Sequence, residues 1–190
     1  MDFATVLGLI KNRLERSDHP VALVGGLGLA AFGITRATLD LDLLVPASAQ
    51  EEVVDLMEGL GYETLYRSSG YSNHLHPDDR FGRVDFIYVR GDTRVRIFEN
   101  ARPVEGPGGV DVLVPRPEHL AAMKVLAMKN DPDRRLRELA DIALLLRVPG
   151  VDREAVREQF ERHGMLESWR ELGAESGVDR SGARHADDTG

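Results

Sequence analysis

Two aspartates one residue apart, Asp40 and Asp42 in the run Leu39-Asp40-Leu41-Asp42-Leu43-Leu44-Val45, carry the sharpest chemical signal in the chain. If the run is a strand, alternation sends Leu39, Leu41 and Leu43 to one face and both carboxylates to the other. Their Cα atoms then lie roughly 6–7 Å apart. At neutral pH such a pair repels itself unless a cation sits between its members. Mg²⁺ (or Mn²⁺) is the matching ion, because it takes carboxylate oxygens and commonly shares them with substrate phosphates. A solvated acidic face on a half-exposed strand is the plain alternative, and the strand alone does not decide between the two.

A second chemical feature lies just upstream. Val21 to Val24 reads as a buried strand that turns on Gly25-Gly26 into a short helix closed by Gly33. Read as Gly26-Leu27-Gly28-Leu29-Ala30-Ala31, the turn matches a dinucleotide-binding fingerprint. That fold needs a long helix behind the glycines and an acid at the end of the next strand. Here Gly33 interrupts after about two turns, and the acids sit inside the strand. The other reading treats the turn as a phosphate cradle, since backbone N–H groups opening a helix can hold phosphate oxygens. A cradle for phosphates and a carboxylate platform for their metal are complementary on neighbouring strands.

Val24-Gly25-Gly26, Gly33, Arg36, Thr38 and Asp40-Leu41-Asp42 together resemble the signature of the DNA polymerase β-like nucleotidyltransferase superfamily. The R-x-T-x-D-x-D spelling is most similar to the minimal branch that includes AbiEii-type toxins of bacterial toxin–antitoxin systems. The resemblance implies an α/β (α+β) fold, a mixed sheet flanked by helices with a C-terminal helical extension. It implies a third carboxylate on a later strand, the position of Asp85 in Arg83-Val84-Asp85-Phe86-Ile87. It also implies a lysine and an aspartate on helices after the sheet, where Lys124 and Asp141 stand, with Glu138 near the latter. The catalytic set on this reading is Asp40, Asp42, Asp85 and Lys124, with the three aspartates as metal ligands. Gly25, Gly26, Arg36, Thr38 and Asp141 would serve the nucleotide. The expected partners are an NTP, an RNA or tRNA acceptor and a cognate antitoxin.

The elements that must position these groups follow from the pattern. Phe3, Val6, Leu7, Ile10 and Leu14 keep helical spacing. Ser48-Ala49-Gln50-Glu51 has the form of a capping box, predicting a helix to about Leu60 that ends at Gly61. Tyr62 to Tyr66 and Arg83 to Val89 read as strands; Thr93 to Phe98 and Val110 to Val114 are weaker strands. The polar stretch Arg67 to Gly82 reads as a loop, so His74 and His76 receive no role. Helices are expected at Pro117 to Met128, Pro132 to Leu146, Arg153 to His163 and Leu166 to Leu172. This divides the chain into an α/β domain over 1–116, a helical part over 117–175 and a disordered tail over 176–190.

Composition narrows the function classes. Hydrophobic residues make up 42% of the 190 and the net charge is -8, against a protein that coats nucleic acid nonspecifically. Basic residues nevertheless collect between Arg67 and Arg102 and at Arg134, Arg135 and Arg137, where an RNA surface would fit. Cysteine is absent, excluding disulfides, thiolate metal sites and a cysteine nucleophile. No apolar run approaches the ~20 residues that span a bilayer, and the N-terminus lacks a secretory pattern; the expected location is cytoplasmic, with no membrane partner. Lys11, Lys124 and Lys129 are the three lysines against twenty-one arginines, which singles out Lys124 as a compact charge for phosphate. Two rival functions remain open: a small-molecule, aminoglycoside-like nucleotidyltransferase, and a non-catalytic binding protein on the same fold.

Overall fold

The computed structural model describes residues 1–173; the expected tail over 176–190 lies outside them. Helix α1 (Phe3–Glu15) opens the chain, with the Asp2 carboxylate accepting from the Thr5 N–H as its cap. Its apolar stripe, Val6, Leu7, Ile10 and Leu14, is fully buried. There follow β1 (Ala22–Leu23), α2 (Gly25–Ala30), β2 (Asp40–Pro46), α3 (Gln50–Gly59), β3 (Glu63–Arg67), β4 (Tyr71–Leu75) and β5 (Arg83–Val89). The chain continues through α4 (Gly91–Glu99), β6 (Arg102–Glu105), β7 (Asp111–Val114), α5 (Pro117–Asn130), α6 (Arg135–Leu145), α7 (Arg153–Arg162) and α8 (Leu166–Glu171).

The strands form one mixed sheet in the order β3-β4-β5-β2-β1-β7-β6. β2 runs parallel to β5 and antiparallel to β1. Leu41, Leu43, Val84 and Phe86 have no exposed surface, which fixes the register of the two central strands through their core face. The dinucleotide reading is overturned here. Its fold needs a parallel pair at the glycine turn, whereas β1 and β2 are antiparallel and α2 ends at Ala30, before Gly33 takes φ 75°.

Four local expectations need correcting. The stretch from Arg67 to Gly82 is not all loop, because it contains β4. Hydrophobic periodicity missed that strand because its inward residues are polar: Ser72 and His74 are completely buried. They satisfy one another through the imidazole (2.9 Å), with Tyr88 and Thr64 closing the chain at 2.7 and 3.1 Å. Thr93 to Phe98 is not a strand but the body of α4; Gly91 at φ 50° turns the chain out of β5, and Ile97 is its one buried residue. The edge strand β6 was not foreseen. The capping box does not form: Ala47–Ala49 make a short 3₁₀ turn, and no side chain caps α3.

Candidate active site

Asp42 sits where β1, α2, β2 and β5 meet. Its backbone carbonyl accepts from the Val24 N–H at 3.0 Å, which places the glycine turn directly beside it. Gly25 adopts φ 55°, a left-handed conformation that side chains resist. A Cβ there would stand 1.8 Å from Asp42 Oδ2, so the turn lies against the carboxylate with no room for another residue. A Cβ on Gly26 would meet the Thr38 side chain at 2.7 Å. Thr38 in turn donates its hydroxyl to the Asp40 carbonyl at 3.2 Å, tying the segment before β2 to the strand's first residue.

Register brings the third carboxylate alongside. Asp42 is paired with Asp85, and Asp40 with Arg83, across the parallel β2–β5 ladder. Cross-strand partners share a face, so Asp40, Asp42 and Asp85 lie together on the side away from Leu41, Leu43, Val84 and Phe86. Burial pushes the Asp42 carboxyl up to about 6, and the charges of Asp85 and Asp40 add to the effect; Lys124 and Arg36 oppose it less strongly. Asp85 is turned toward its own strand, where the Arg83 Nε donates to Oδ1 at 2.9 Å. Arg83 Nη2 also reaches the Tyr71 hydroxyl at 3.5 Å.

The far wall is an ion cluster contributed by α5 and α6. Lys124 Nζ donates to Glu138 Oε2 at 2.9 Å and to Asp141 Oδ2 at 2.5 Å. All three are buried, Glu138 at 1% and Asp141 at 4% exposure. Arg36 forms an ion pair with the same Asp141 oxygen at 3.4 Å, but its buried Nε makes no hydrogen bond among the described residues. Arg134 holds the other oxygen of Glu138 at 2.7 Å. Burial works against an ionised Glu138, but Lys124 and Arg134 outweigh it and hold its carboxyl below the ordinary value.

The structure thus gathers every residue expected at the site into one neighbourhood, with differences in detail. Lys124 is held by two acids, and Thr38 spends its hydroxyl on backbone. Among the described residues no three His, Cys, Asp or Glu side chains are gathered at metal-ligating spacing. The donor chemistry still suits a hard divalent ion. Asp40 and Asp42 offer oxygens on one face, and the crowding of Asp42 by Asp85 and Asp40 is the kind of charge a bound cation relieves. Arg83, Tyr71 and Asn73 escaped the sequence reading. Alternation in Arg83-Val84-Asp85 already places Arg83 beside Asp85, whereas Tyr71 and Asn73 were hidden with the rest of β4.

A mixed sheet with a glycine turn against paired strand carboxylates defines a nucleotidyltransferase fold. The chain belongs to a family described as uncharacterised nucleotidyltransferases, whose model matches residues 3–172. No curated protein matches it by sequence. Its fold is similar to that of ANT(2'')-Ia, an antibiotic-resistance factor (TM-score 0.65, 18% identity, 90% of this chain and 99% of that one). A structure of ANT(2'')-Ia in complex with adenylyl-2''-tobramycin gives 0.53 at 16% identity, covering 90% and 94%. An antigenic nucleotidyltransferase-like protein from Paracoccidioides brasiliensis gives the same score and identity, covering 91% and 93%. No helix among the described residues is long and apolar enough to cross a membrane.

Proposed function

We propose that the chain transfers a nucleoside monophosphate from an NTP to an acceptor hydroxyl with release of pyrophosphate. The observation that carries this reading is the crowding of Asp42 by Asp40 and Asp85 beside the Gly25-Gly26 turn. Asp40 and Asp42 would hold Mg²⁺ or Mn²⁺, which supplies charge stabilisation at the phosphates when bound. Gly25, Gly26 and Arg36 would face the phosphates, with Lys124 and Asp141 setting the charge around them. The acceptor oxygen forms a bond to the α-phosphorus, the bond from that phosphorus to the β-phosphate oxygen breaks, and the hydroxyl proton passes to Asp85.

The AbiEii-like spelling of the motif makes an RNA acceptor and a cognate antitoxin one version of this proposal. The likeness to ANT(2'')-Ia supports a small-molecule acceptor as the other. The experiment for the shared chemistry is thermal denaturation with each NTP plus Mg²⁺, against NAD plus Mg²⁺. Stabilisation by an NTP, lost in Asp40→Asn and Asp42→Asn, is expected; stabilisation by NAD alone contradicts it.

A further inference from the structure

The strand that the sequence concealed supplies a surface next to the site. Asp42 pairs with Asp85, Asp85 with Asn73, and Asn73 with Tyr66, the last just past a register shift in β3 between Thr64 and Tyr66. These four residues therefore form one row across β2, β5, β4 and β3, all on the same face. With strands about 4.8 Å apart, Tyr66 stands about 10 Å from Asp85. Tyr71, two residues from Asn73, shares that face, and its ring lies 6.3 Å from the Tyr66 ring at a tilt of 40°.

Two features of this surface await a ligand. The Asn73 Oδ1 is buried and has no hydrogen-bond partner among the described residues, a costly condition for a polar atom. Tyr66 is 56% exposed, so its ring is open to a ligand on this face. An acceptor atom flanked by aromatic faces is the composition of a site for an amphipathic ring, whose C–H or planar face stacks while its hydroxyls or amines donate.

We propose that Tyr66, Tyr71 and Asn73 form the acceptor subsite, and that it takes a compact hydroxylated ring compound without phosphates, such as a sugar or aminocyclitol glycoside. The proposal rests on the transfer reading above and names its acceptor. Asn73 accepts a hydrogen bond from a ring hydroxyl or amine, the tyrosines stack on the ring, and a neighbouring hydroxyl reaches Asp85. Charge disfavours a polynucleotide here. The arginines along this edge are already paired, Arg83 with Asp85, Arg80 with Asp78 and Arg67 with Glu51. Those pairs partly neutralise the three guanidiniums, and a phosphate backbone relies on such charge for affinity.

The test is ligand-detected NMR on the full chain with Mg²⁺ and the α,β-methylene analogues of the four NTPs. The probes are tobramycin, lincomycin and a ten-nucleotide single-stranded RNA with a free 3′ hydroxyl. The expected result is binding of at least one of the two small molecules through its ring protons. Tyr66→Ala and Asn73→Leu should each weaken that binding at least tenfold while leaving Mn²⁺–NTP affinity within twofold. Tyr66 is exposed, so its variant keeps the fold even if Asn73→Leu does not. Small-molecule binding that neither variant changes overturns the subsite, as does RNA binding in place of both small molecules, or binding of no probe while NTP binding is intact. Failure of the wild type to bind Mn²⁺–NTP overturns the transfer reading itself, and the subsite with it.

Discussion

Asp42→Asn should make the protein more stable and inactive at once. In the folded chain the Asp42 carboxyl titrates at about 6 instead of 3.8, because burial and the charges of Asp85 and Asp40 disfavour its ionised form. A folded-state pKa above the unfolded one means that the folded chain binds the proton more tightly between pH 3.8 and 6. Stability from this group therefore falls as pH rises through that window, and above it the folded state carries a penalty of about 3 kcal/mol. Asparagine has nearly the same shape and no charge, so the variant escapes the penalty. For a chain of this size that corresponds to a rise of roughly 6–12 °C in Tm at pH 7.5. The assay is urea unfolding of both proteins in EDTA across pH 4 to 8. The gap should be about 3 kcal/mol at pH 7.5 and close toward pH 4. A bound divalent ion should narrow it from the other side, by stabilising the wild type alone. A variant that is no more stable at pH 7.5, or a gap independent of pH, would refute the electrostatic account of the site.

Three further outcomes follow from the same geometry. Lys124→Ala removes the cation between Glu138 and Asp141 and leaves buried carboxylates short of a partner, which should cost about 3–5 kcal/mol in chemical denaturation. Gly25→Ala places a methyl group 1.8 Å from Asp42 Oδ2 at φ 55°; it should abolish NTP-dependent stabilisation and lower Tm, whereas activity within threefold of wild type would contradict the placement. His74, pushed down to about 4 by burial, should remain neutral in an NMR titration to near that pH. The unfolded chain takes up that proton from about 6.5, so His74 contributes stability that is lost as pH falls from 6.5 to 4. This slope opposes that of Asp42, and the Asp42→Asn variant should therefore decline on acidification more steeply than the wild type.

The site was legible where one local rule governs each residue. Alternation in β2 separates Asp40 and Asp42 from Leu41 and Leu43, and the glycine pair marks a turn that cannot carry a Cβ beside Asp42. What stayed hidden depends on partners distant in sequence. Ser72 and His74 look like loop residues until Tyr88 and Thr64 satisfy them from neighbouring strands, so β4 and its outward residues Tyr71 and Asn73 went unseen. Alternation in Thr-Arg-Val-Arg-Ile suggested a strand, but Gly91 and the position beyond the end of β5 made it a helix. Lys124 was singled out by the scarcity of lysine, and its charge was expected to face phosphate. Asp141 stood beside Lys124 in the family pattern, but the sequence alone did not reveal that Glu138 would share it.

The most direct test of the central claim follows the α-phosphate. The full chain, Mg²⁺ and each α-³²P-labelled NTP are incubated with hydroxylated small molecules and with RNA, and labelled product and pyrophosphate are measured together. Nucleotidyl transfer predicts one pyrophosphate for each labelled acceptor, with both lost in Asp40→Asn and Asp42→Asn. Label transfer that survives those substitutions, or NTP consumption that releases inorganic phosphate without labelling any acceptor, would contradict it.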